Sequence, residues 1–129
     1  MTRTWLTALA GAVALGVSAS AHHSFAASYF EDQVVTIDGE IVEFDYRNPH
    51  SWVRVVGKSD TSAGQEFAAE WASPVRLKQW GVTETTLKPG DRVLITGSPG
   101  RDPGEHRIHL KSIQRPADGW RWAGPSSPR

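Results

Sequence analysis

The sequence contains no cysteine, and it has no excess of charge of either sign. Without cysteine there are no disulfides, thiolate metal sites, cysteine nucleophiles or covalent haem attachment through cysteine, and no lipid anchor on an N-terminal cysteine. The 14 Lys and Arg residues balance 14 Asp and Glu residues. Nucleic-acid-binding proteins usually carry a basic excess. We therefore expect no nucleic acid partner and no stable membrane anchor.

The sequence also lacks a long hydrophobic run. Its main apolar stretch, residues 6–17, is shorter than the about 20 residues that a transmembrane helix needs. Arg3 precedes this stretch and Ala19-Ser20-Ala21 follows it, which together form the three parts of a secretory signal peptide. A membrane anchor or a buried helix is the alternative interpretation. We predict that residues 1–21 are a signal peptide cleaved after Ala21 and that the protein is periplasmic or secreted.

The chain fits one small domain, because its 129 residues leave no room for a second sizeable core. We assign residues 22–33 to an N-terminal arm, 34–118 to a β-barrel domain and 119–129 to a flexible C-terminal tail. An exported domain without disulfides needs bulky core residues. The residues that we expect to supply this bulk are Trp52, Trp71, Trp80, Trp120 and Trp122.

Apolar residues and turn signals predict a mainly β protein. The predicted strands cover 34–46, 51–58, 65–71, 92–98 and 106–114. The third of these also allows a helical interpretation. Ser73-Pro74 predicts the start of a short helix over 74–80, and the apolar face of the first strand changes near 39–41, which predicts a bulge. The predicted order is three strands, a short helix and two strands. This order is typical of a small OB-like barrel with one short helix between strands three and four. The alternatives are an open β-sandwich fragment or another small barrel.

The predicted mature N-terminus carries the main chemical hypothesis. Cleavage after Ala21 leaves His22 as the first residue, followed by His23. The α-amine and Nδ1 of a terminal histidine can chelate one metal ion, and the amine has an ordinary pKa of about 7.7–8. One further imidazole completes a set of nitrogen ligands that suits Cu(II). The alternative is an exposed dipeptide without a ligand role.

His50 is the candidate for the further imidazole, because it lies where the Asn48-Pro49 turn enters a strand. A turn histidine that bonds local backbone is the alternative. His106 and His109 are three residues apart on a strand and so point to opposite faces. We interpret both as structural or surface residues, with His106 as a weaker reserve ligand. Glu66 and Glu70 are interpreted as part of a solvated strand face. The metal ligands predicted from the sequence are therefore His22, His23 and His50.

Several short motifs, in this order, resemble an uncharacterised family of small exported bacterial proteins that is classed only as a domain of unknown function. The motifs are His-His-Ser-Phe at 22–25, Asn-Pro-His at 48–50, Trp71 with Ser73-Pro74, Trp-Gly-Val-Thr at 80–83 and Leu-Lys-Pro-Gly-Asp at 87–91. The resemblance covers about 22–118 and implies export and domain extent, but no activity. The sequence departs from the family after Asp118-Gly119, where Trp120 leads into a Pro/Ser tail, which puts the closing strand of the family in doubt.

Two functions remain open from the sequence. The first is an exported β-barrel protein that binds a transition metal, copper, through its processed N-terminal histidine. The second is a metal-independent module without catalytic activity that binds an envelope protein partner or a small ligand. An enzyme ranks third, since the sequence contains no G-x-S-x-G, phosphate-loop or H-E-x-x-H motif.

Overall fold

Five strands close into a barrel in the computed structural model, which describes residues 25–125. The elements are α1 (Phe25–Ser28), β1 (Val35–Asp45), β2 (Trp52–Gly57), β3 (Glu66–Glu70), α2 (Pro74–Gln79), β4 (Arg92–Pro99), β5 (Arg107–Arg115) and β6 (Trp120–Ala123). The sheet order is β3-β2-β1-β4-β5-β6, and a parallel pairing of β3 with β5 closes the first five strands into a ring. This topology confirms the predicted mainly β, OB-like barrel with a short helix between strands three and four.

The long strand β1 pairs with two neighbouring strands, β2 and β4, because it bends. Its first half, from Val35 to Glu40, pairs with β4, and its second half, from Gly39 to Asp45, pairs with β2. The register shifts between Ile41 and Glu43, immediately after the residues at which the sequence predicts a bulge. Before the bulge, Ile41 faces the core. After the bulge, the extra residue turns a residue of the other parity, Phe44, towards the same core.

The barrel interior is filled mainly by branched aliphatic side chains. The most deeply buried of them on the strands are Ile41, Val53, Val55, Val93, Ile95, Ile108, Leu110 and Ile113. Leu77 of α2 is fully buried, and α2 begins as the sequence predicts, with the Ser73 hydroxyl accepting a hydrogen bond from the Arg76 amide. Of the five tryptophans expected to fill the core, only Trp71 is fully buried, while Trp80 is 40% exposed. Aliphatic side chains therefore fill most of the core that we expected tryptophan to fill.

The described part of the arm folds onto the barrel. Its first described residues, Phe25–Ser28, form one helical turn. Tyr29, which is 1% exposed, forms a β-bridge with Gly100. The Phe30 amide donates to the Pro99 carbonyl, so the arm is fixed to the end of β4. None of the helices within residues 25–125 is long and apolar enough to cross a bilayer.

A sixth strand follows the barrel, where the sequence analysis places a flexible tail. Gly119, with a φ of 75°, allows the turn after β5, and the Trp120 amide donates to the Asp118 carboxylate. Strand β6 then pairs antiparallel with β5, and Trp122 lies opposite Ile113. Trp120 and Trp122 both pack partly buried against the core, which accounts for the order of this segment.

Candidate functional site

A pocket of about 360 Å³ opens where α1, α2, the end of β3 and strand β5 meet. Its lining residues are Phe25, His50, Trp71, Ala72, Ser73, Arg76, Trp80, His109, Leu110, Lys111, Trp122, Gly124 and Pro125. Two of the five histidines of the sequence therefore face one cavity, together with three tryptophans.

His50 is held in this pocket by its turn and by a carboxylate. The turn is fixed to the residues after β3 by two backbone hydrogen bonds, from the Ser51 amide to the Ala72 carbonyl and from the Trp71 amide to the Ser51 carbonyl. The imidazole Nδ1 of His50 lies 2.7 Å from Oε1 of Glu70. A histidine that donates Nδ1–H to a carboxylate presents Nε2 as its free, basic nitrogen.

Glu70 is buried, so its interpretation as part of a solvated face was wrong. It is 9% exposed and accepts hydrogen bonds from the hydroxyl of Tyr29 and from Nη2 of Arg107 at 3.3 Å, besides its contact with His50. Burial, and then the hydrogen bond to Glu70, raise the pKa of the Tyr29 hydroxyl. This carboxylate therefore joins the arm, the His50 turn and β5 at one point.

His109 has an arrangement parallel to that of His50. Its Nδ1 lies 2.7 Å from Oε1 of Glu31, and the other oxygen of Glu31 accepts from Nζ of Lys111. Of the two interpretations of His109, structural or surface residue, the structure favours the first, because the side chain is bonded to Glu31 and only 16% exposed. Burial lowers the pKa of the His109 imidazole. Its neutral form, the one that binds metals, is therefore favoured.

Burial raises the pKa of Glu31, but the hydrogen bonds from Lys111 and His109 outweigh it, and the pKa of this carboxyl lies below its usual value. Glu31 is therefore ionised at neutral pH and accepts from both partners. An ionised acceptor fixes the Nδ1–H tautomer of His109.

Phe25 contacts both imidazoles. Its ring stacks on that of His109 with centroids 3.6 Å apart and planes 6° apart, and on that of His50 with centroids 5.3 Å apart and planes 24° apart. Neither Nε2 atom has a hydrogen-bond partner among the described residues. The Trp71 indole nitrogen is the only fully buried side-chain nitrogen or oxygen without a partner in residues 25–125.

The structure describes one of the three predicted metal ligands. His22 and His23 lie outside the described residues, while His50 lines the pocket. His106 lies elsewhere, where its ring nitrogens contact the Gln65 amide. Within residues 25–125 no group of three or more His, Asp or Glu side chains could hold a metal ion. Among the described residues, the imidazoles that line this pocket are those of His50 and His109.

Comparisons with known proteins identify a family but no activity. No match was found among the curated proteins or among the solved structures. A family model described as a family of unknown function (DUF6152) matches residues 10–109, which include all the predicted metal ligands and the barrel as far as the first residues of β5. The matched range ends before β6, the segment in which the sequence departs from the resemblance noted above. The chain belongs to this family of unknown function.

Proposed function

We propose that this protein is an exported β-barrel protein that binds copper through its processed N-terminus. In this proposal His22 supplies its α-amine and Nδ1, His23 assists, and His50 supplies the remote imidazole. One observation carries the proposal: the ring of Phe25, three residues after His22, stacks on the imidazole of His50. Three residues of chain span at most about 11 Å, so a chain that begins at His22 would have its first residue within that reach of Phe25.

The chemistry of the pocket supports a metal ligand role for His50. Its hydrogen bond to Glu70 is the kind of outer-shell contact that orients imidazole ligands and raises their basicity. A set of amine and imidazole nitrogens suits Cu(II). Because residues 25–125 hold no complete ligand group, the proposed site depends on cleavage after Ala21, which creates the free amine. A protein with such a site would carry, buffer or sense copper in the cell envelope.

The test is a Cu(II) titration of two versions of the chain. One begins at His22, verified by mass, and the other retains Ala19-Ser20-Ala21 and so moves the amine three residues away. We expect the first to bind Cu(II) more than about 100-fold more tightly, since loss of an outer-shell partner alone costs about 10–100-fold. Equal affinities of the two versions would overturn the proposal. The H106Q variant, which changes a histidine outside the pocket, should bind like the wild type.

A metal-independent small-ligand-binding module is the second candidate, and the Trp71 indole favours it. Its Nε1–H is buried without a partner beside a pocket lined by Trp80, Trp122 and Arg76. An orphaned buried donor is costly, and a ligand acceptor that displaced the atoms covering it would satisfy it. This function would be favoured if the Ala19 and His22 versions bound copper equally and native mass spectrometry showed a stoichiometric organic ligand.

A further inference from the structure

We infer that the pocket between α1, α2 and β5 binds a small aromatic carboxylate, with the guanidinium of Arg76 as its anion-binding group. This inference rests on the second of the proposed functions, the metal-independent small-ligand-binding module, and names the ligand class of that module. It depends neither on copper nor on the N-terminal histidines. Two properties of the pocket support it, namely the aromatic character of its walls and their charge.

The walls of the pocket are largely aromatic and form one connected surface. The ring centroid of Trp122 lies 5.0 Å from that of Trp71 and 4.9 Å from that of Trp80. Phe25 adds a fourth ring to the lining. Trp80 is 40% exposed, and covering exposed aromatic surface with a ligand is favourable. The volume of about 360 Å³ is at the small end of the about 300–1,000 Å³ that ligand pockets occupy, which suits a ligand of one or two rings.

The polar side chains of the walls are cationic or neutral. Among the described residues that line the pocket there is no Asp or Glu, whereas Arg76 and Lys111 are both present. The other polar groups of the lining are two imidazoles, the Ser73 hydroxyl and the indole nitrogens, and none of these carries negative charge. A pocket of this composition favours an anion over a cation.

Arg76 is the cation of this pocket that the fold leaves uncompensated. The Lys111 ammonium is paired with Glu31. The other carboxylate close to the pocket, Glu70, is paired with Arg107. Within the described part of the chain the guanidinium of Arg76 forms no ion pair, so its charge remains for a ligand.

The position of Arg76 fits a ligand that has both a ring and a carboxylate. Its Cζ lies 5.8 Å from the ring centroid of Trp80, so the cation stands directly beside the aromatic wall. A guanidinium presents a planar fork of N–H donors that binds a carboxylate through two hydrogen bonds. A ligand whose rings cover the indoles can therefore place a carboxylate on Arg76 at the same time.

The test is isothermal titration calorimetry of the protein, expressed from its full 129-residue sequence and freed of metal with a chelator. The probes are 2-naphthoate and 2-naphthamide, which share the same two rings and differ in negative charge. We expect 2-naphthoate to bind at least about 10-fold more tightly, because hydrogen bonds to an ionised acceptor are stronger than those to a neutral one. This preference should shrink at high salt, since the pocket is open to solvent.

The R76Q variant removes the proposed anion-binding charge, and K78Q is its matched control. Both residues are exposed on α2, but of the two only Arg76 lines the pocket. We expect R76Q to weaken the binding of 2-naphthoate by about 10-fold and to leave that of 2-naphthamide unchanged. K78Q should change neither affinity. Urea unfolding of both variants verifies that each is folded.

The outcomes separate the inference from the function on which it rests. A preference for 2-naphthoate that R76Q abolishes and K78Q preserves would support both. Equal affinities of the two probes, or of R76Q and K78Q for 2-naphthoate, would overturn the aromatic carboxylate but leave a small-ligand pocket in place. If neither probe binds, the inference is overturned as well, and a stoichiometric organic ligand of another class in native mass spectrometry would still favour the small-ligand function.

Discussion

Glu70, the carboxylate that holds His50, should be the acidic residue whose neutralisation lowers the stability most. The E70Q variant keeps the shape of the side chain and removes its charge. Three donors lose a carboxylate acceptor: the hydroxyl of Tyr29, Nδ1 of His50 and Nη2 of Arg107. Gln also brings an amide N–H that cannot accept from any of them.

The magnitude follows from the number and burial of these contacts. A hydrogen bond to a charged group contributes about 1.5–3 kcal/mol net, and removing one partner of a buried ion pair costs about 3–5 kcal/mol. Because Gln keeps one carbonyl acceptor and Arg107 is partly exposed, we expect E70Q to lower the free energy of unfolding by about 2–4 kcal/mol. For a domain of this size that is a fall in melting temperature of roughly 10–25 °C.

Thermal and urea unfolding followed by tryptophan fluorescence measures this difference. The matched control is E66Q, which makes the same change four residues earlier on the same strand, where the side chain is exposed. We expect E66Q to stay within about 0.5 kcal/mol of the wild type. Equal unfolding midpoints for E70Q and E66Q would refute the view that Glu70 ties the arm to the barrel.

Two further predictions concern the strand that carries His109. A Cβ at Gly97 would lie 2.1 Å from the carbonyl oxygen of His109, whereas at Gly104 the nearest atom is a side-chain oxygen of Asp102 at 3.3 Å. G97A should therefore lower the free energy of unfolding by at least about 1–3 kcal/mol and G104A by much less, and equal urea midpoints would contradict this. Burial lowers the pKa of His109 from its ordinary 6.5, so the unfolded chain takes up this proton first, and stability should fall as the pH drops below about 6.5. Urea midpoints at pH 7.5 and 5.5 should differ less in H109Q than in the wild type, and an unchanged difference would argue against this role for His109.

The barrel could be predicted from the sequence because its signals are local. The Ser73-Pro74 pair marks the start of α2 directly, and the change of apolar parity around Gly39 marks the bend of β1. Each of these depends on backbone and side-chain preferences within a few residues. Once the order of strands and helix is known, closure of the sheet is the arrangement that leaves fewest exposed edges.

The site could be predicted only in part, because it depends on what covers the outside of the barrel. Alternation along β5 correctly places His109 on the outer face, and alternation along β3 does the same for Glu70. An outer face is usually solvated, but here the arm lies across it and supplies Tyr29 and Glu31 as partners. The only local signal was an arm rich in aromatic residues with an acid at its end, and its contact partners are about 40 and 80 residues away in sequence.

The same contacts that fix the arm also orient the two histidines, so stability and site geometry are coupled in this fold. Tyr29 donates to the carboxylate that also holds His50, and Glu31, two residues later, holds His109. Detaching the arm would therefore release the carboxylate behind His109, expose the one behind His50 and remove Phe25 from both rings. A site built this way exists only while the segment next to the predicted cleavage point is docked. The buried contact of Glu70 with the Tyr29 hydroxyl is one of the contacts that hold the arm, and Glu70 also holds His50, so we expect copper affinity and thermal stability to fall together in E70Q.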